Sequence, residues 1–166
     1  MHKFRIFDFD DTIVATDSTV FIIGPHGEKK LTSAEFANYK MQPGERMDKS
    51  RYDNRVINPR IIDPYMKLMR SYLNVSDYNV MILTARPNAK PIAKYLRSIG
   101  ITSGLKIVAL NSTSADDKKH YIEKLILKGA NDIEFYDDRA ANIAAVNTLM
   151  KKYPQVNIRT ERVPRL

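Results

Sequence analysis

Cysteine is absent from this chain of 166 residues. That excludes disulfides and thiolate-ligated metal sites outright. No stretch approaches the roughly 18 consecutive apolar residues of a membrane-spanning helix. The first apolar run meets Asp8 almost at once, so the pattern of a secretory leader is missing as well. Internal repeats and low-complexity segments are not visible. The expectation is a soluble, intracellular, cytoplasmic protein of one domain, with room for one sizeable insertion and no membrane partner.

Acidic residues are missing from one long stretch. Residues 80–110 hold Arg86, Lys90, Lys94, Arg97 and Lys106 with no aspartate or glutamate. From residue 150 onward, Lys151, Lys152, Arg159, Arg162 and Arg165 face only Glu161. The whole chain has 27 basic and 19 acidic residues, a net charge of +8. Such a surplus concentrates anionic partners, phosphorylated metabolites or nucleic acid, near the surface. Most of these residues read as solvated helix faces and a basic tail.

Apolar runs and helical periods alternate along the chain. Residues 4–8, 79–84, 105–110, 133–137 and 156–159 read as strands. Residues 60–73 bring Ile61, Ile62, Tyr65, Leu68, Met69, Tyr72 and Leu73 to one helical face. Residues 88–99 do the same with Ile92, Ala93, Leu96 and Ile99. Residues 115–128 follow, with Ser114 as N-cap and Gly129 after the end. Residues 139–152 place Ile143, Val146, Leu149 and Met150 inward. This alternation predicts an α/β fold, a Rossmann-like parallel sheet of about five strands with helices on both faces. The first two strands are separated by far more chain than a crossover needs. Within it, residues 20–23 and 29–31 flank a Gly-Pro-His-Gly turn and predict a hairpin or flap. Thr32 and Glu35 form a capping box for a short helix, and residues 41–59 read as loop. The core is thus expected at 1–14 and 60–166, with 15–59 a cap or flap insertion over the C-terminal strand ends. Arg46, Lys49, Arg51 and Arg55 in it alternate with Glu45, Asp48 and Asp53 and read mostly as a solvated loop.

Polar residues concentrate where the strands end. The first strand runs into Asp8-Phe9-Asp10-Asp11-Thr12. Strand alternation brings Asp8 and Asp10 out on the same side. Two buried anions so close repel, and a divalent cation or a shared proton removes the conflict. One carboxylate then suits a nucleophile and the other an acid/base. The second strand ends in Thr84-Ala85-Arg86, and the fourth in Asp137-Asp138-Arg139. Lys118 lies in the first turn of the helix after the third strand. Each piece alone has an ordinary explanation as cap or surface residue. Their occurrence in order, each at the edge where open α/β sheets bind ligands, points to one site for phosphate and a hard divalent ion. His2, His26 and His120 have no partners at metal-ligand spacing and read as structural or exposed.

In these four motifs the chain resembles the haloacid dehalogenase-like (HAD) phosphohydrolase superfamily. The motifs are DxDxT at Asp8, Asp10 and Thr12, a strand-terminal Thr84, a helix-opening lysine, and the acidic pair Asp137-Asp138. The resemblance covers residues 4 to about 150, with the insertion matching in position only. Thr84-Ala85-Arg86 and Asp137-Asp138-Arg139 resemble the 3′-phosphatase part of polynucleotide kinase-phosphatases and small phage-encoded relatives. Of two adjacent lysines, Lys118 meets the apolar pairs Tyr121-Ile122 and Leu125-Ile126 at the superfamily's offsets, and Lys119 does not.

The resemblance implies a Mg²⁺-dependent phosphomonoester hydrolase acting through an aspartyl-phosphate. Asp8 is then the nucleophile, and Asp10, kept protonated by its surroundings, the acid/base. Mg²⁺ falls to Asp8, the Asp10 main-chain carbonyl and Asp138, with Asp137 direct or through water. Four carboxylates without His or Cys favour Mg²⁺ over Zn²⁺. Thr84 and Lys118 hold phosphoryl oxygens, Arg86 is a further phosphate or substrate contact, and Asp11 and Thr12 shape the turn. The expected substrate is a phosphorylated small molecule, a nucleotide or a 3′-phosphate end of nucleic acid. A phosphotransferase or mutase on the same scaffold, or a non-catalytic nucleic-acid-binding protein, are the alternatives.

Overall fold

The computed structural model describes residues 2–48 and 55–164. Lys49, Arg51 and Arg165, weighed above as basic surface residues, lie outside them. The first strand is β1 (Lys3–Phe7), after which the chain leaves the core through β2 (Val14–Ala15). The insertion holds β3 (Thr19–Gly24), β4 (Gly27–Thr32), the short helix α1 (Ser33–Ala37) and β5 (Arg46–Met47). The chain returns through β6 (Arg60–Ile61) into helix α2 (Asp63–Leu73). The remainder alternates: β7 (Tyr78–Thr84), α3 (Lys90–Ser98), β8 (Leu105–Ala109), α4 (Ala115–Leu127), β9 (Asp132–Asp137), α5 (Ala140–Lys152) and β10 (Asn157–Arg162).

Five of these strands form one parallel sheet in the order β10-β9-β1-β7-β8. Their alternation divides the core into two layers. Phe7, Val80, Ile82 and Tyr136 pack on one face with Met66 and Met69 of α2 and Ile92 and Leu96 of α3. Ile6, Met81, Leu83, Ile133 and Phe135 pack on the other with Ile122 and Ile126 of α4 and Val146 and Leu149 of α5. Strands buried on both faces read as continuous apolar runs, which is why Val80-Met81-Ile82-Leu83 carries no polar alternation. The chain builds outward from β1 to β7 and β8, then crosses back to β9 on the other side of β1. The strand order therefore reverses between β1 and β9, where an open parallel sheet splays and leaves a crevice at its C-terminal edge.

A buried charge is held inside the α2 layer. Glu134 of β9 accepts from the hydroxyls of Tyr72 at 2.6 Å and Tyr136 at 2.5 Å, and it pairs with Arg159 of β10. Arg5 of β1 lies 3.4 Å from it and sits over the rings of Tyr72 and Tyr78. Burial raises the pKa of the Tyr72 phenol, and the Glu134 carboxylate raises it further.

The insertion is more ordered than the sequence suggests. The predicted hairpin is β3–β4, antiparallel and closed by Gly24↔Gly27. Both bonds of the Thr32–Glu35 capping box are present, each at 3.0 Å. Residues 41–59 are not loop throughout, since β5 pairs with β3 as a third strand. That two-residue strand is too short to show an alternation. The insertion's neck is the antiparallel pair Val14↔Ile61 and Ala15↔Arg60. Ile61 therefore belongs to β6 and is 41% exposed rather than on the inner face of α2. Met150 is exposed too, because the inward stripe of α5 runs through Asn142, Val146 and Leu149. Ser114 occupies the N-cap position of α4 without a side-chain capping bond.

Candidate functional site

A cleft of about 680 Å³, its open mouth included, lies where β1, β7 and β9 end. Its wall includes all seven residues singled out from the sequence: Asp8, Asp10, Thr84, Arg86, Lys118, Asp137 and Asp138. Phe7 and Phe9 both enter the α2–α3 layer, so Asp8 and Asp10 are left facing the cleft. Beyond them the chain reverses sharply. The amides of Thr12, Ile13 and Val14 all point to the Phe9 carbonyl, and Asp11 adopts a left-handed conformation with φ 61°. Aspartate tolerates that region better than branched residues do.

Lys118 organises the acidic end of the cleft. It is 2% exposed, and its ammonium donates to Asp8 Oδ1 at 3.0 Å and to Asp137 Oδ2 at 2.8 Å. Lys119 makes neither contact among the described residues. Asn142, in the first turn of α5, donates to the same Asp137 oxygen at 3.0 Å. The Arg139 amide donates to the other at 2.8 Å. Both oxygens of Asp137 are thus engaged by donors. The Thr12 hydroxyl donates to Asp8 Oδ2 at 3.3 Å and lies 3.5 Å from Asp138 Oδ1. Thr12 therefore does more than shape the turn.

The charges here do not balance. Burial pushes the Asp8 carboxyl well above the usual carboxylate range; Lys118 opposes the shift, and Asp137, Asp138 and Asp10 add to it. Asp138 is pushed up to about 7, by burial first and by Asp137 next. Burial works against the Lys118 ammonium, but Asp137 and Asp8 outweigh it and raise its pKa. Three carboxylates share one ammonium in a desolvated place, which leaves an excess of negative charge for a cation. Oxygens of Asp8, Asp137 and Asp138 lie within 4.8 Å of one another, a grouping that could hold a metal ion. An all-oxygen donor set fits a hard divalent ion.

Asp10 stands apart from that group. Arg86 grips it with both ends of its fork, Nε to Oδ2 and Nη2 to Oδ1, each at 2.7 Å. Thr16 donates to Oδ1 at 3.0 Å, and the Ser18 hydroxyl bonds both Arg86 Nη2 at 2.9 Å and Thr16 at 3.1 Å. The Arg86 amide donates to Thr84 Oγ at 3.2 Å. The sequence offered Arg86 as a phosphate or substrate contact; here its guanidinium is committed to Asp10 and Ser18.

The insertion supplies the opposite wall with Val20, Phe36, Ala37 and Met47. It is fastened to the loop after β1 by Ser33, whose hydroxyl donates to Asp11 Oδ2 at 2.6 Å. Arg162 of β10 joins the two parts from the far side, donating to Asn38 Oδ1 at 2.8 Å and to the Asp138 carbonyl at 3.0 Å. Sequence reasoning had no role for Thr16, Ser18, Ser33, Phe36, Asn142 or Arg139. Asn142 carried a signal, being a polar residue on the buried stripe of its helix. Arg139 stood in the acidic-pair motif without a role of its own, and Thr16, Ser18, Ser33 and Phe36 gave no signal at their positions in the sequence.

Comparison of the chain with protein-family models, with curated proteins and with solved structures gives no match.

Proposed function

We propose that the protein is a Mg²⁺-dependent phosphomonoester hydrolase of the HAD-like kind, acting through an aspartyl-phosphate on Asp8. The observation that carries this reading is Lys118 bridging Asp8 and Asp137 beside Asp138, at the sheet's reversal point. A nucleophilic carboxylate must meet a phosphate that is itself anionic. Lys118 lowers that repulsion on one side of Asp8. Mg²⁺, held by Asp8, Asp138 and the Asp10 main-chain carbonyl, would supply the remaining positive charge. Asp137 would reach the ion directly or through water, and it also holds Lys118.

Asp8 attacks phosphorus, and the ester oxygen leaves with a proton from Asp10. Asp10 then takes a proton from the water that attacks the aspartyl-phosphate, and free phosphate is released. Among the described residues, the side-chain partners of Asp10 are all donors. Thr16 offers a way to carry the proton: its hydroxyl can turn its own hydrogen to Ser18 and accept from a protonated Asp10. Arg86 keeps the carboxyl aimed at the leaving group. Thr84, 1% exposed at the end of β7, offers its hydroxyl to a phosphoryl oxygen.

The substrate is a phosphorylated small molecule or a nucleic-acid end. The apolar wall of Val20, Phe36 and Met47 suits a flat leaving group such as a nucleoside. No described helix is long and apolar enough to cross a membrane. The test is a phosphate-release screen over sugar phosphates, nucleotides and 3′- or 5′-phosphorylated oligonucleotides, with Mg²⁺ and with EDTA. Metal-dependent release that favours nucleotides or 3′-phosphorylated ends is expected. No release from any ester would remove the reading, and transfer to an added alcohol in preference to water would make the protein a phosphotransferase.

A further inference from the structure

Three cations line the cleft, and two are already neutralised. Lys118 is paired with Asp8 and Asp137, and Arg86 with Asp10. Arg139 makes no ion pair among the described residues. It is half-buried in the cleft wall, and it follows directly on Asp138. Of its five N–H donors, one, on Nη1, is spent on the Thr113 carbonyl at 2.5 Å. Among the described residues, the sealed side-chain nitrogen lacking a hydrogen bond is Arg5 Nε, so the remaining Arg139 nitrogens are open to solvent in a residue that lines the cleft. Its guanidinium lies over the ring of Phe36, 5.1 Å from the centroid. Phe36 belongs to α1, on the insertion. The cation thus meets a ring carried by the insertion, on the opposite wall of the cleft.

We propose that Arg139 and Phe36 form a phosphate subsite, in which the uncommitted N–H donors of the Arg139 guanidinium bind oxygens of the substrate's reacting phosphoryl group and the docked insertion holds it in place. The identity of the ligand rests on the phosphatase reading. The geometry itself asks for a compact oxyanion, because a planar fork with uncommitted donors beside a carboxylate cluster matches phosphate. Burial lowers the guanidinium pKa, while Asp137, Asp138 and Asp8 pull it upward without contacting it directly. This is a charge left for a partner that comes from outside. It also gives the insertion a task beyond enclosure, since its displacement would remove Phe36 and free the arginine to swing.

The experiment is calorimetric titration of inorganic phosphate, with Mg²⁺ present, into wild type, R139Q, R139K, F36L and R139Q/F36L, each checked for folding by circular dichroism. R139Q should bind phosphate roughly tenfold or more weakly, the loss expected for a charge-assisted hydrogen bond. F36L should cost about two- to fivefold in the wild-type background, and nothing further once Arg139 is gone. R139K keeps the charge but not the fork, and should show an intermediate loss even where R139Q fails to fold. Phosphate affinity unchanged by both Arg139 variants, or a wild type that binds no phosphate, would overturn the subsite. Ester hydrolysis by the wild type is read separately. Phosphate held through Arg139 in a protein that hydrolyses no ester would keep the subsite and remove the phosphatase reading.

Discussion

Arg86 and Asp10 form a two-point pair, with Nε on Oδ2 and Nη2 on Oδ1, each at 2.7 Å. An arginine held this way orients a carboxyl group rather than waiting for substrate. Because the pair would act on the proposed proton donor, Arg86→Lys should lower kcat and leave KM nearly unchanged. The loss should be about tenfold or more for an alkyl phosphate, and smaller for an activated aryl phosphate that needs no proton on departure. A rise in KM at constant kcat would instead return Arg86 to the substrate-binding role suggested by the sequence.

Lys118→Met replaces a buried ammonium with an apolar side chain of similar length. It leaves Asp8 and Asp137 buried together without their counter-charge. Breaking such a pair costs about 3–5 kcal/mol, so the urea midpoint in EDTA should fall clearly at pH 8. The fall should shrink at pH 5, where protons can replace the lost cation. Equal midpoints for variant and wild type at pH 8 would show that Lys118 does not neutralise the cluster.

The raised carboxyl groups fix a sign for the pH dependence. Asp138, at about 7 when folded, binds a proton more tightly than in the unfolded chain, where it has an ordinary value. Asp8 is shifted in the same direction. Between those limits the folded state holds more protons, so the metal-free protein should lose stability as pH rises from about 4 to about 7. A metal ion competes with the same protons. The gain in Tm on adding Mg²⁺ should therefore grow over that range, and Asp138→Asn should blunt the growth. A gain independent of pH, measured by calorimetry, would separate the metal from these carboxylates.

The sheet and its edge were legible because the buried strands are mostly apolar and stop at polar residues. Thr84 and Asp137 close β7 and β9, and Asp8 and Asp138 come one residue after β1 and β9. Lys118 was singled out by its offset to Ile122 and Ile126, and the structure buries it while Lys119 is only half-buried. The contacts between parts of the chain could not be read. Ser33 with Asp11, and Phe36 with Arg139, join the insertion to the core over long separations. Pairing across such a distance depends on how the hairpin folds back, and no periodicity encodes that. Arg86 was singled out as a phosphate or substrate contact, and its pairing with Asp10, 76 residues away, was not legible for a similar reason.

The Ser33–Asp11 bond gives a narrower test of the insertion. Ser33→Ala removes the 2.6 Å tie without touching the carboxylate cluster. Global stability should drop by about 0.5–1.5 kcal/mol. Hydrogen exchange should speed up in β3, β4 and α1 ahead of the parallel sheet. Uniform acceleration across both parts would mean that the insertion unfolds with the core and is not held by this contact.

The nucleophile is tested most directly by trapping. Protein mixed with excess phosphate ester and Mg²⁺ is quenched in acid, reduced with borohydride and digested, and the peptide containing Asp8 is read by mass spectrometry. An aspartyl-phosphate is reduced to homoserine, so homoserine should appear at position 8 only with substrate present, and not in Asp8→Asn. Steady turnover with Asp8 unmodified, homoserine at Asp10 or Asp138 instead, or undiminished turnover by Asp8→Asn would contradict it.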